Sequence, residues 1–151
     1  MRLTSMTDYA LRLLMYVAQR PQQLCTIAEI ARAHGISEAH LMKITHQLSR
    51  QGWIETVRGK GGGMRLARSP KDINLGAVIR GIEPDFSLVE CFSTGNQCVL
   101  TNNCRLATVL EGALQGFLAH LDGFTLANLQ PASDPSLPTV QPVRVKRRRA
   151  S

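Results

Sequence analysis

The chain has no apolar run near the roughly 20 residues that a membrane-spanning helix needs. Residues 1–5 hold no signal-peptide core, and the apolar stretch over residues 11–18 is broken by Arg12 and Tyr16. These absences predict a cytoplasmic protein with no membrane partner. Aromatic residues are scarce, at 5%, so a core has to come from Leu, Ile, Val and Ala packed between helices. No glycine-rich motif opens a helix after a strand, and no nucleophile signature is present. The four histidines, His34, His40, His46 and His120, are scattered. The chain therefore reads as a non-enzyme. Cysteine is also sparse, four in 151 residues, which excludes a disulfide-stapled scaffold in a reducing compartment and leaves metal ligation or thiol chemistry.

Charge is uneven. Residues 1–80 hold 12 Lys/Arg against 5 Asp/Glu, residues 81–130 hold 1 against 5, and residues 131–151 hold 5 against 1. A basic first half joined to an acidic second half points to polyanion binding by the first alone. Pattern gives that half a shape. Leu11, Leu14, Met15 and Ala18 recur at helical spacing over residues 7–19, and Pro21 closes the run. Thr26 and Glu29 match a capping box for a second helix that Gly35 stops. Ser37 caps a third helix with Leu41, Ile44, Thr45 and Leu48 turned inward, so the pair forms a helix-turn-helix. Residues 53–57 and 64–67 alternate like strands around the turn from Arg58 to Gly63. The expectation is a mainly α fold with a small β-hairpin wing: a winged helix-turn-helix domain over residues 1–82, with Asn74 capping its last short helix.

Such a protein binds double-stranded DNA through its third helix, where Lys and Gln can read base edges in the major groove. The candidate contacts are Ser37, Glu38 and His40 at the helix start, Lys43, Gln47 and Arg50 along it, and Arg58, Lys60 and Arg65 on the wing. Glu38 would repel phosphate but can accept from a cytosine amino group.

Cys91, Cys98 and Cys104 form a C-x6-C-x5-C loop within residues 83–104. Soft thiolates select iron–sulfur clusters, zinc or copper(I), and three from one loop can hold three corners of a four-iron cluster, leaving one iron to another donor. A two-iron cluster is the alternative. Cys25 stands apart, either a half-buried filler or a fourth thiolate for structural zinc, which would make the chain a constitutive DNA-binding module. Residues 105–130 begin with a long helix bearing Leu106, Leu110, Ala113, Phe117 and Leu121 on one stripe, widened by Val109, Leu114 and Leu118. So broad an apolar arc predicts pairing with a second copy, a homodimer. Residues 131–151, with four prolines and a basic end, read as a disordered tail.

The N-terminal Met1-Arg2-Leu3-Thr4, the Thr7-Asp8-Tyr9-Ala10-Leu11-Arg12 segment, the glycine-rich wing and the three-cysteine loop resemble the bacterial winged-helix iron–sulfur regulators, a family with IscR-, NsrR- and RirA-type members. Glu90-Cys91-Phe92, Cys104-Arg105-Leu106 and Phe124-Thr125-Leu126-Ala127-Asn128-Leu129 resemble the NsrR type in particular. That resemblance implies a homodimeric repressor on an inverted-repeat operator, with nitric oxide as effector; a RirA-type, iron-responsive repressor is the rival. It also implies that Asp8 of the partner subunit completes the cluster site, whereas by itself Asp8 reads as a helix-end acid paired with Arg12. The IscR-type histidine three residues after the third cysteine is Ala107 here, and the first cysteine spacing is longer than the common NsrR one.

Overall fold

The structure is a computed structural model that describes residues 2–100 and 103–130; the expected tail over residues 131–151 lies outside them. Three helices come first: α1 (Ser5–Ala18), α2 (Ile27–His34) and α3 (Glu38–Arg50). Helix α1 starts two residues earlier than its apolar spacing suggests, because the Thr4 hydroxyl accepts the Thr7 N–H at 3.4 Å and satisfies one of the first-turn donors. At α2 the Thr26 hydroxyl accepts the Glu29 N–H at 3.2 Å and donates to the Glu29 carboxylate at 3.2 Å. The carboxylate thus takes the hydroxyl in place of the Thr26 backbone N–H that a full capping box would use. Gly35 ends α2 in the left-handed conformation, φ 64°, which a side chain would strain. The Ser37 hydroxyl accepts the His40 N–H, starting α3 where expected.

Strands β1 (Ile54–Val57) and β2 (Gly63–Leu66) pair antiparallel, Ile54 opposite Leu66 and Val57 opposite Gly63. The outer edge of β2 is covered too: Cys25 and Met64 exchange backbone hydrogen bonds at 2.9 and 2.8 Å. Helix α4 (Leu75–Ile82) is capped by the Asn74 side-chain oxygen, which accepts the Ala77 N–H at 2.9 Å, and α5 (Arg105–Asp122) follows the cysteine loop. The chain then returns, with Leu126 N–H donating to Ile73 O and Leu75 N–H to Phe124 O. Leu126 thereby enters the core that Leu13, Leu14, Ile30, Leu41, Ile44 and Leu48 build between α1, α2 and α3. Each such side chain stabilises the fold by about 1.5–3 kcal/mol through loss of apolar surface to water.

Helix α5 is fastened to α4 by the Arg80–Asp122 ion pair, 2.6 Å, and by the Asn74 amide, which donates to Asp122 O at 2.7 Å. Its buried side carries Leu114 and Leu118, with Leu110, Phe117 and Leu121 half-buried. Leu106 and Val109, by contrast, are 61% and 66% exposed. The single chain covers one side of the broad apolar arc and leaves the other side bare. Among the described residues no helix is long and apolar enough to cross a membrane.

Candidate functional site

Because Leu41, Ile44, Thr45 and Leu48 face the core, the opposite side of α3 faces solvent. At 100° per residue its centre is Ala39, Lys43, His46 and Arg50, with Met42 beside them, 55% exposed. Lys43, His46, Gln47 and Arg50 line a groove of about 530 Å³ with Met6 and Gln51. Of the residues singled out from sequence, Lys43 and Arg50 sit in the middle of this face. Gln47 lies at its edge and donates its side-chain amide to Gly81 O at 3.0 Å. His40 is at the same edge two turns earlier, its ring 6.2 Å from that of Tyr9 and its Nδ1 3.1 Å from the Ser37 hydroxyl. Ser37 and Glu38 are exposed at the helix start. His46 and Met42 were not among the expected contacts, although a wheel centred on the buried set places both outward.

The wing carries Arg58 and Lys60 in its exposed turn. Arg65 lies directly across the hairpin from Glu55 and forms an ion pair with it. Any anion binding Arg65 competes with that carboxylate, whereas Arg58 and Lys60 have no such partner built into the hairpin register.

Cys91 sits in a short 3-10 turn (Glu90–Phe92), Cys98 in the following irregular segment, and Cys104 at the N-cap of α5. All three side chains are half-buried and none of the cysteines is in a disulfide. Glu90 accepts the Gln97 N–H at 3.2 Å and Asn96 accepts the Cys98 N–H at 3.3 Å, so local bonds shape the loop. Among the described residues no three His, Cys, Asp or Glu side chains are gathered into a metal-binding group. The donor chemistry nonetheless fits an iron–sulfur cluster: three accessible soft thiols on one loop, outside the packed core. Cys104 is the N-cap residue of the 18-residue helix α5 and makes no side-chain capping bond to it.

Asp8 is half-exposed and paired with Arg12, 2.9 Å. Cys25 is fully buried in the core, more deeply than the sequence suggests, because its backbone is the third partner in the wing sheet. Burial pushes its thiol up from 9.0 to about 11, reinforced by the Glu29 carboxylate and partly offset by Arg20. A thiol so placed is a poor ligand, which weighs against the four-thiolate zinc arrangement. One further group was invisible as a site: the Glu83 carboxylate, just past α4, reaches the Thr4 N–H at 3.1 Å and the Thr7 hydroxyl at 2.5 Å.

A helix-turn-helix with a hairpin wing, cations on the solvent side of α3, and a cysteine loop leading into a long helix together define a winged-helix DNA-binding regulator. The chain belongs to the Rrf2 family, described as iron-dependent transcriptional regulators, whose model matches residues 3–132. It is 48% identical to the HTH-type transcriptional regulator NsrR of Bacillus subtilis over 85% of this chain and 90% of that one. It is 50% identical to NsrR of Geobacillus kaustophilus over 85% and 89%. Among solved structures it is similar to IscR of T. potens, TM-score 0.67, 28% identical, with 85% of each chain covered. It shares the fold of oxidised CymR of Staphylococcus aureus, TM-score 0.70, 24% identical, over 89% of this chain and 99% of that one. The chain is a transcriptional regulator and not an enzyme.

Proposed function

We propose that the protein is a homodimeric, cytoplasmic repressor whose operator affinity is set by an iron–sulfur cluster sensitive to nitric oxide. The observation that carries this reading is the set of three half-buried thiols on one loop, Cys91, Cys98 and Cys104, joined directly to α5. These residues hold a cluster of the four-iron type, with Asp8 of the partner subunit as the fourth donor; a two-iron cluster is the smaller alternative. When bound, the cluster supplies iron that reacts with nitric oxide. The NsrR names of relatives at 45–50% identity support the nitric oxide assignment.

The chain's own residues do the rest. Residues 1–82 form the DNA-binding unit, residues 83–104 the cluster loop, and residues 105–130 the dimerisation region. The bare Leu106 and Val109 face of α5 meets its copy, setting two α3 helices against the half-sites of an inverted repeat. Lys43 and Arg50 enter the major groove, with Ser37, Glu38, His40 and Gln47 flanking them, while Arg58, Lys60 and Arg65 hold the backbone. In a partnered state, Asp8 exchanges its Arg12 pairing for the neighbouring subunit's loop.

The family's description as iron-dependent favours one second reading, an iron-responsive repressor using the same site. Anaerobic purification with iron and sulfide analysis tests both. Wild type is expected to be brown with acid-labile sulfide, and Cys91→Ala, Cys98→Ala and Cys104→Ala to be colourless, folded dimers that bind operator poorly. Colourless wild type carrying zinc would refute both readings. Loss of operator binding on mild iron chelation, with nitric oxide inert, would select the iron-responsive one.

A further inference from the structure

We propose that Glu83 is the positioning residue through which the cysteine loop controls the DNA-binding unit. This rests on the reading of that loop as the sensor. Glu83 is the first residue beyond α4, its N–H still bonded to Ile79 O at 2.8 Å. Pro84 follows and the chain runs on to Cys91 eight positions later. The Glu83 side chain turns back to α1. It accepts the Thr4 N–H at 3.1 Å, the Thr4 hydroxyl at 3.2 Å and the Thr7 hydroxyl at 2.5 Å. Thr7 is fully buried, and among the described residues the other side-chain partner of its hydroxyl is the Thr4 hydroxyl, 3.3 Å away.

Three physical facts make this contact a coupler. A carboxylate at a helix N-terminus is held by charge-assisted bonds and by the helix dipole, so Glu83 is a preferred partner for the first turn of α1. That turn carries Asp8, whose N–H bonds Thr4 O at 3.1 Å, and α1 packs under α3. Finally, the segment after Glu83 stands off from the lead-in to α1. A cavity of about 360 Å³ is lined by Arg2 and Thr4 on one side, Pro84, Phe86 and Leu88 on the other, and Phe117 of α5. At its edge the Glu83 carboxylate bonds Thr4 and Thr7. A loop that shifts pulls Glu83 from Thr4 and Thr7, strands a buried hydroxyl and frees the helix beneath α3. The loop and the recognition helix are thereby tied within one chain, in addition to any tie through the partner's Asp8.

The test uses the full-length dimer, anaerobic, with and without its metal, and reads the ratio of operator Kd values between the two forms. For Glu83→Ala the cluster content is expected to stay at wild-type level while the ratio falls at least tenfold, towards one. Glu83→Gln, which keeps an accepting oxygen without the charge and guards against misfolding of the alanine variant, is expected to fall between the two. Amide exchange in residues 4–8 of the metal-free protein is expected to quicken at least tenfold in Glu83→Ala. Val78→Ala trims the α4 core without touching the carboxylate, and it should lower the melting temperature yet keep the wild-type ratio. An unchanged ratio in Glu83→Ala, unchanged exchange in residues 4–8, or an equal collapse in Val78→Ala would overturn the proposal. A wild-type ratio of one, seen before any substitution, would overturn the sensor reading itself and this proposal with it.

Discussion

Thiol labelling of the metal-free protein separates Cys25 from the three loop cysteines, and the structure gives the size of the separation. The Cys25 side chain is fully buried, while Cys91, Cys98 and Cys104 are half-buried. Alkylation and disulfide exchange need the thiolate. At pH 8 a thiol with pKa 9.0 is about one-tenth ionised, whereas the Cys25 thiol, pushed up to about 11, is ionised in about one molecule in a thousand. Relative to an ordinary free thiol, ionisation alone therefore slows Cys25 by about 100-fold, and the need to open the core slows it further. Iodoacetamide at pH 8 followed by peptide mass spectrometry is expected to modify the loop cysteines within minutes and Cys25 only over hours, or at once in urea. The same burial sets a pH dependence. The unfolded thiol ionises from about pH 9 and the folded one does not until about 11, so the stability linked to Cys25 is complete below pH 9. It is lost between those values at about 1.4 kcal/mol per pH unit. Cys25→Ala should remove that slope and cost about 1 kcal/mol at neutral pH. Labelling of Cys25 as fast as the loop thiols would refute the buried assignment and reopen a role for it in metal binding.

Gly63→Ala would put a Cβ 2.7 Å from Cys25 O, forcing the wing sheet apart, and is expected to cost about 1–3 kcal/mol in urea unfolding; a neutral result would mean the edge is not paired. Lys43→Ala should weaken operator binding by about 1–3 kcal/mol and relax specificity, while Arg65→Ala should weaken all sequences alike and lower the salt slope by about one. Identical, sequence-independent losses in fluorescence anisotropy would contradict the placement of α3 in the groove. Val109→Glu is expected to turn the dimer into monomer by sedimentation without lowering helicity, since the side chain is already exposed in the single chain; a persistent dimer would move the interface elsewhere.

The helix-turn-helix was legible because its signals are local. Ser37 and Gly35 mark the helix ends within one turn of the residues they cap, and Leu41, Ile44, Thr45 and Leu48 declare the buried side of α3 by spacing alone. The three-cysteine loop was legible for the same reason. What spacing cannot supply is a partner far along the chain. Glu83 looks like the residue that ends α4, and nothing local announces acceptor bonds to Thr4 and Thr7 nearly 80 positions away. Gln47 has the spacing of a base reader, yet its amide is spent on Gly81 O, across 34 positions. Cys25 has the surroundings of a helix-cap neighbour and is buried because β2 pairs with its backbone. On α5 the pattern gave a wide apolar arc but could not say which side the chain itself covers: Leu114 and Leu118 turn inward, and Leu106 and Val109 do not.

The central claim is that a cluster on Cys91, Cys98 and Cys104 sets operator affinity and answers to nitric oxide. The measurement that tests it most directly is a nitric oxide titration of the anaerobic, iron-loaded dimer, recording visible absorbance and operator anisotropy on the same sample. The account predicts that the visible band bleaches and operator affinity falls together, at the same nitric oxide to iron ratio. Bleaching with unchanged affinity would contradict control of DNA binding by the site, and a spectrum untouched by nitric oxide would contradict the sensor.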